Sequence, residues 1–173
     1  MKESILSAPR ALLAEFLGTM LLLAIVVGSG IMGERLADGN AAIALLANAA
    51  ATAGGLYVLI VLFGPLSGAH FNPAVTMVMR ANGERLPAPV FAYIAVQYAA
   101  AIVRVRAVHA MFGEPFWQPG DHVRTGLAQW FSEGVATFGL LLTILLGAQH
   151  RPRAIPALVA YRYLRGRVDA LVI

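Results

Sequence analysis

Long stretches without a single charge alternate along this chain with short, charged and glycine-bearing ones. Positions 41–63 form a run of 23 residues with no Asp, Glu, Lys or Arg. At about 1.5 Å rise per residue a helix over that run spans about 35 Å, enough to cross a bilayer core with some tilt. A second charge-free block covers 16–33, just behind Glu15, and a third covers 87–103. A fourth, 125–147, is interrupted only by Glu133. The pattern predicts four membrane-spanning helices. The first block follows Lys2 and Arg10 as a signal peptide would, but its apolar region exceeds the roughly 7–15 residues of a cleaved signal. It reads as a retained span.

One segment breaks the pattern. Directly behind the second block comes "GPLSGAHFNPAVTMVM". Residues 64–69 have loop chemistry, and Asn72-Pro73 is a helix start, with Asn as cap and Pro where its missing N–H costs nothing. The apolar stretch 73–80 ends in Arg80, a cation suited to a helix C-terminus. Eight residues rise only about 12 Å, too short to span. The pattern predicts a re-entrant half-helix whose unpaired N–H groups and positive dipole end lie near mid-membrane. With Asn72 adding side-chain donors, water would meet donors and no fixed charge, while a cation would meet an unfavourable dipole. The plainer alternative is an Asn-capped helix on the cytoplasmic surface.

Composition agrees with membrane embedding. Apolar residues make up 59% and charged residues 13%, against about 45–50% and about 25% in soluble domains. The net charge of +4 is a matter of topology. With four spans, Lys2, Arg10, Arg80, Arg85, Arg151, Arg153, Arg162, Arg165 and Arg167 share one side, and only Arg35 and Arg124 the other, beside Glu34, Asp38, Glu114 and Asp121. The positive-inside rule places the first side, with both termini, in the cytoplasm. No nucleic-acid partner is needed to explain the basic balance. The absence of Cys excludes disulfides and thiol chemistry. Arg104 and Arg106, late in the third span, point about 200° apart on a helix. Snorkelling to the headgroups, a conducting or gating pair, or a destabilising substitution would each account for them.

The stretch "SGAHFNPAV", between a Glu-bearing first span "AEFLGTMLLL" and an uncharged second one, resembles the first signature loop of the aquaporin, or major intrinsic protein, family. The resemblance implies an all-α membrane protein, an aquaporin-like helical bundle of about four transmembrane helices plus one re-entrant half-helix. It makes Asn72, Pro73 and Ala74 the first of the family's two Asn-Pro-Ala boxes and His70 the loop histidine of the cytoplasmic vestibule. The family's selectivity position on the second span, about 20 residues before the box asparagine, falls on Thr52. Water-selective members carry a bulky aromatic there, so Thr52 implies a wider filter, open to polyols or undissociated metalloid acids. Passive conduction of water or small neutral solutes, no cofactor, no metal, a lipid-bilayer setting and a homo-tetramer are further implications. So is a bacterial inner (plasma) membrane location.

Self-comparison adds an incomplete inverted repeat. "AEFLGTMLLLAI" aligns with "SEGVATFGLLLTI" through Glu15 with Glu133 and Thr19 with Thr137. The family resemblance implies that both are structural buried carboxylates; proton relay is the alternative. The expected organisation is a single membrane domain over 1–173: a first repeat over 10–112, the start of a second over 125–160, and a basic non-family tail over 161–173. Carried forward by the same offset, the mate of Asn72 falls beyond Ile173. The resemblance thus covers about residues 10–160, and a truncated or frameshifted member is the expectation, testable by translating the other two frames past codon 160. The rival function is a non-conducting remnant, or a subunit that works only with a partner chain. An enzyme is a distant third, for no nucleophile–base pair or metal-ligand spacing appears. His109, His122 and His150 read as interfacial residues near span ends.

Overall fold

The computed structural model describes residues 7–113 and 126–169. Lys2, Glu114, Asp121 and Arg124, used in the topology argument, lie outside the described residues, as do His122 and the His109 side chain. Among the described residues six α-helices run in order: α1 (Ala8–Leu36), α2 (Ala41–Ser67), α3 (Pro73–Ala81), α4 (Val90–Phe112), α5 (Leu127–His150) and α6 (Ile155–Asp169), the last preceded by a 3₁₀ turn at Pro152–Ala154. Four of them, α1, α2, α4 and α5, are long and apolar enough to cross a membrane. At 9 residues, or about 13 Å, α3 is not. The all-α bundle of four spans and one half-helix is the architecture expected from the charge-free runs.

Small residues set the packing. In α1, Ala11, Ala14 and Gly18 are buried, and α1 lies against both α2 and α4. At Gly33 a Cβ would stand 2.9 Å from the Ala44 carbonyl oxygen, so α1 and α2 approach backbone to side-chain-free backbone there. Polar cross-links reinforce the seam, with Asn48 Nδ2 donating to the Val26 carbonyl at 2.6 Å and to Ser29 Oγ at 3.0 Å. The α1–α2 turn carries Gly39 and Asp38 at positive φ, and Asn40 then caps α2 by accepting from the Ala42 and Ile43 N–H groups at 3.1 Å. At the other end α2 stops at Gly68, whose φ of 92° makes it a left-handed cap with its N–H on the Gly64 carbonyl. On α4, Tyr93, Ala100 and Val108 are buried. Arg104 is also turned inward, Nη1 donating to the Leu23 carbonyl of α1 at 3.3 Å, whereas Arg106 is exposed. Instead of snorkelling out, Arg104 is pinned to the middle of a neighbouring helix.

The basic stretch expected from 161 onward is helical as far as it is described. Residues up to Asp169 continue α6, which packs on α2 and pairs with α5. Two features make this possible. Ile155, Val159 and Tyr163 recur at i, i+4, i+8 and give α6 one apolar stripe toward the bundle's cavity. The Arg162 guanidinium lies over Gly139 of α5, in space that any side chain at 139 would occupy.

Candidate pore-lining site

The segment 68–72 between α2 and α3 has an unusual backbone. Gly68, Ala69 and Phe71 all have positive φ, at 92°, 52° and 51°. Two non-glycine residues in the left-handed region persist only where the surroundings over-determine them. The determinant is Glu15, which is fully buried on α1. Its Oε1 accepts from Ser67 Oγ at 2.7 Å and the His70 N–H at 2.9 Å. Its Oε2 accepts from the Phe71 N–H and from Gln97 Nε2, both at 2.9 Å. Two successive backbone amides of the loop are therefore aimed at a single carboxylate. Tyr93 OH donates to the Ser67 carbonyl at 3.0 Å, and Phe71 meets Phe63 edge-on at 6.1 Å. Phe71 also fills the space over Gly18, where a Cβ would collide with its ring.

Held this way, the loop delivers Asn72 as the N-cap of α3. Asn72 Oδ1 accepts from the Ala74 N–H at 2.8 Å, so the remaining polar group of its side chain is a donor. Pro73 occupies the first turn, where no N–H is needed. Behind the cap, Thr76 Oγ1 lies 3.1 Å from the Asn72 carbonyl, 3.0 Å from Gln97 Nε2 and 3.2 Å from His70 Nδ1. His70 is buried, with Nε2 3.4 Å from Glu84 Oε2 but without a hydrogen bond to it.

Beside this loop is a cavity of about 730 Å³. His70, Asn72 and Glu84 supply polar groups from the loop side and Thr52 from α2. Leu22, Val26, Leu56 and Ile60 supply apolar wall, and α5 and α6 close the opposite side through Leu140, Ile144, Val159 and Tyr163. The Thr52 hydroxyl is buried and has no hydrogen-bond partner among the described residues. The structure thus brings His70, Asn72 and Thr52 to one space. Pro73 and Ala74 shape the start of α3 and are not among the cavity-lining residues. Among the described residues no group of acidic or histidine side chains is arranged to hold a metal.

Glu15 and Glu133, expected as paired structural carboxylates, differ in their surroundings among the described residues. Glu133 is exposed on α5. α6 packs along the second half of α5, through Gly147 and Gly139, and leaves Glu133, Trp130 and Phe131 uncovered among the described residues. Gln97, Ser67, Thr76 and Glu84 are the site residues that sequence reasoning missed. Gln97 left a signal, since an amide inside an uncharged span needs a buried partner.

Fold and site together define an integral membrane protein of helices, with a carboxylate-anchored re-entrant loop whose short helix points its N-terminus into an internal cavity. Comparison with known proteins gives the family. The sequence profile of the Major intrinsic protein family matches residues 2–160. Aquaglyceroporin AqpS of Rhizobium meliloti (strain 1021) is 49% identical over 150 residues, 87% of this chain and 64% of that protein. Aquaporin-3 of Milnesium tardigradum is 37% identical over 130 residues, 69% and 40% of the two chains. Aquaporin NIP6-1 of Arabidopsis thaliana is 34% identical over 139 residues, 78% and 44%. This chain belongs to the major intrinsic protein family. It spans 40% to 64% of the length of these three relatives.

Proposed function

We propose that this chain builds one side of a passive channel for water or small neutral solutes. The observation that carries the reading is the shared cavity: Asn72, at the start of the half-helix, and Thr52, on the second span, both line it. A solute there meets a donor at Asn72, a hydroxyl at Thr52 and aliphatic wall elsewhere. The N-terminus of α3 opposes cations, because the helix dipole presents its positive end. Thr52 leaves room where an aromatic side chain would narrow the passage, which favours polyols or undissociated metalloid acids over a strict water filter. The relative named an aquaglyceroporin is in keeping with a wider bore. Termini on the cytoplasmic side of a bacterial inner membrane and assembly as a homo-tetramer complete the proposal.

Stopped-flow light scattering on liposomes containing the purified chain tests it. Glycerol and water entry faster than in empty liposomes is expected, with Thr52→Phe slowing glycerol at least tenfold and water less. Entry no faster than in empty liposomes would instead favour the non-conducting or partner-dependent reading.

A further inference from the structure

A second recess, of about 510 Å³, lies between the end of α3 and the start of α4. Arg80, Gly83 and Arg85 line it together with the segment from Leu86 through Pro89 to Val90. Both arginines are exposed, and neither has a carboxylate within ion-pair distance among the described residues. The acid closest in sequence, Glu84, is turned the other way, its Oε2 3.4 Å from His70 Nε2. The loop thus sorts its charges, carboxylate inward to the cavity and cations outward to the recess.

We propose that this recess binds the phosphate of an anionic membrane lipid. Three observations select that occupant. Two unpaired guanidiniums face one concavity, and guanidinium is the side chain that grips phosphate oxygens two at a time. The same lining includes Leu86, Pro87 and Pro89, an apolar surface suited to the glycerol and first methylenes of a lipid. The recess sits where α4 begins its span and where Phe91 is 75% exposed, at the depth of the headgroups. Basic recesses between membrane helices bind such headgroups by this chemistry. The simpler role for Arg80, complementing the C-terminal dipole of α3, accounts for one arginine and not for the second or for the recess. The proposal stands whether or not the chain conducts.

Native mass spectrometry of the detergent-solubilised full chain, titrated with phosphatidylglycerol, tests it. One tightly held lipid per chain is expected, with phosphatidylcholine failing to replace it. The Arg80→Gln/Arg85→Gln variant should bind phosphatidylglycerol about 30-fold more weakly, at about a factor of five for each cation near the surface. Arg151→Gln/Arg153→Gln removes the same net charge elsewhere and should change binding less than threefold. Helicity by circular dichroism confirms that each variant is folded, and Arg80→Lys/Arg85→Lys, which keeps charge but loses the planar fork, should fall between. Equal losses in the two Gln variants would overturn the proposal in favour of diffuse charge attraction. Millimolar inorganic phosphate displacing the lipid would overturn it in favour of a free-anion site.

Discussion

Removing the Glu15 side chain is the sharpest probe of how the re-entrant loop is held. Four donors converge on that carboxylate, from Ser67, His70, Phe71 and Gln97. In Glu15→Ala two of them have somewhere else to go. Ser67 Oγ already lies 3.4 Å from the Phe63 carbonyl, and Gln97 Nε2 3.0 Å from Thr76 Oγ1. The His70 and Phe71 amides are backbone groups and cannot turn away without remaking the loop. Two orphaned buried donors cost about 1–3 kcal/mol each, so the expected destabilisation is about 2–6 kcal/mol before any cavity penalty. Glu15→Gln sharpens the test. If its NH₂ faces Ser67 and His70, the hydroxyl turns to accept and only the His70 amide is stranded. If it faces Phe71 and Gln97, the Phe71 amide is stranded and Gln97 must turn over, carrying its Nε2 off Thr76 Oγ1 to where Oε1 has no partner among the described residues, so the first orientation is favoured. One orphan replaces two, so Gln should cost about half of what Ala costs, about 1–3 kcal/mol. Residue-resolved hydrogen–deuterium exchange in detergent reads this directly. Glu15→Ala should accelerate both amides, and Glu15→Gln just one of them, by about 5- to 150-fold. Equal effects from Gln and Ala, or unchanged exchange at both amides in Glu15→Ala, would refute the anchoring role.

Other perturbations test neighbouring contacts. Gly18→Val puts a side chain into the Phe71 ring and should cost at least about 1–3 kcal/mol in an unfolding titration. Pairing Gly18→Val with Phe71→Leu should recover part of the loss, and failure of that rescue would show the clash to be elsewhere. Asn48→Leu removes the two bonds to Val26 and Ser29 and should lower stability by about 1–2 kcal/mol, the range for interhelical bonds in a bilayer. An unchanged thermal midpoint would mean that this polar seam contributes nothing. Thr52→Phe, in the permeability assay described above, should discriminate against glycerol, and equal slowing of glycerol and water would remove Thr52 from the filter.

Much of this architecture is legible in the sequence because the bilayer imposes it. Spans must be long and uncharged, and Asn72-Pro73 is a helix start that no deeper context needs to create. The anchor of the loop is less legible. Glu15 declares itself as a charge at the head of a span, but two of its partners are backbone amides 55 and 56 residues away, and backbone donors have no sequence signature. Glu133 is illegible for a related reason: matching a carboxylate by offset says nothing about whether its surroundings supply donors, and at Glu133 the described residues do not cover it. α6 was obscured by its arginines. Counted as charges they read as a tail; placed on a helix they leave the stripe of Ile155, Val159 and Tyr163 intact. Arg104 shows the limit most plainly, since only the packing of α4 on α1 brings a mid-helix carbonyl within its reach.

The wiring of Glu15 also dictates an order of assembly. The carboxylate belongs to α1, made before α2 and α4, and its partners lie 52, 55, 56 and 82 positions further along the chain. A nascent α1 therefore enters the bilayer with none of them. Emergence of α2 and the loop supplies three, and Gln97 arrives only with α4. Until that last helix docks, one of the four donors is missing and the loop is incompletely fixed. The half-helix is thus a late product of biogenesis, completed from both of its flanks, and a ribosome stalled before α4 would display an α2–α3 connection more open to protease than that of the finished chain.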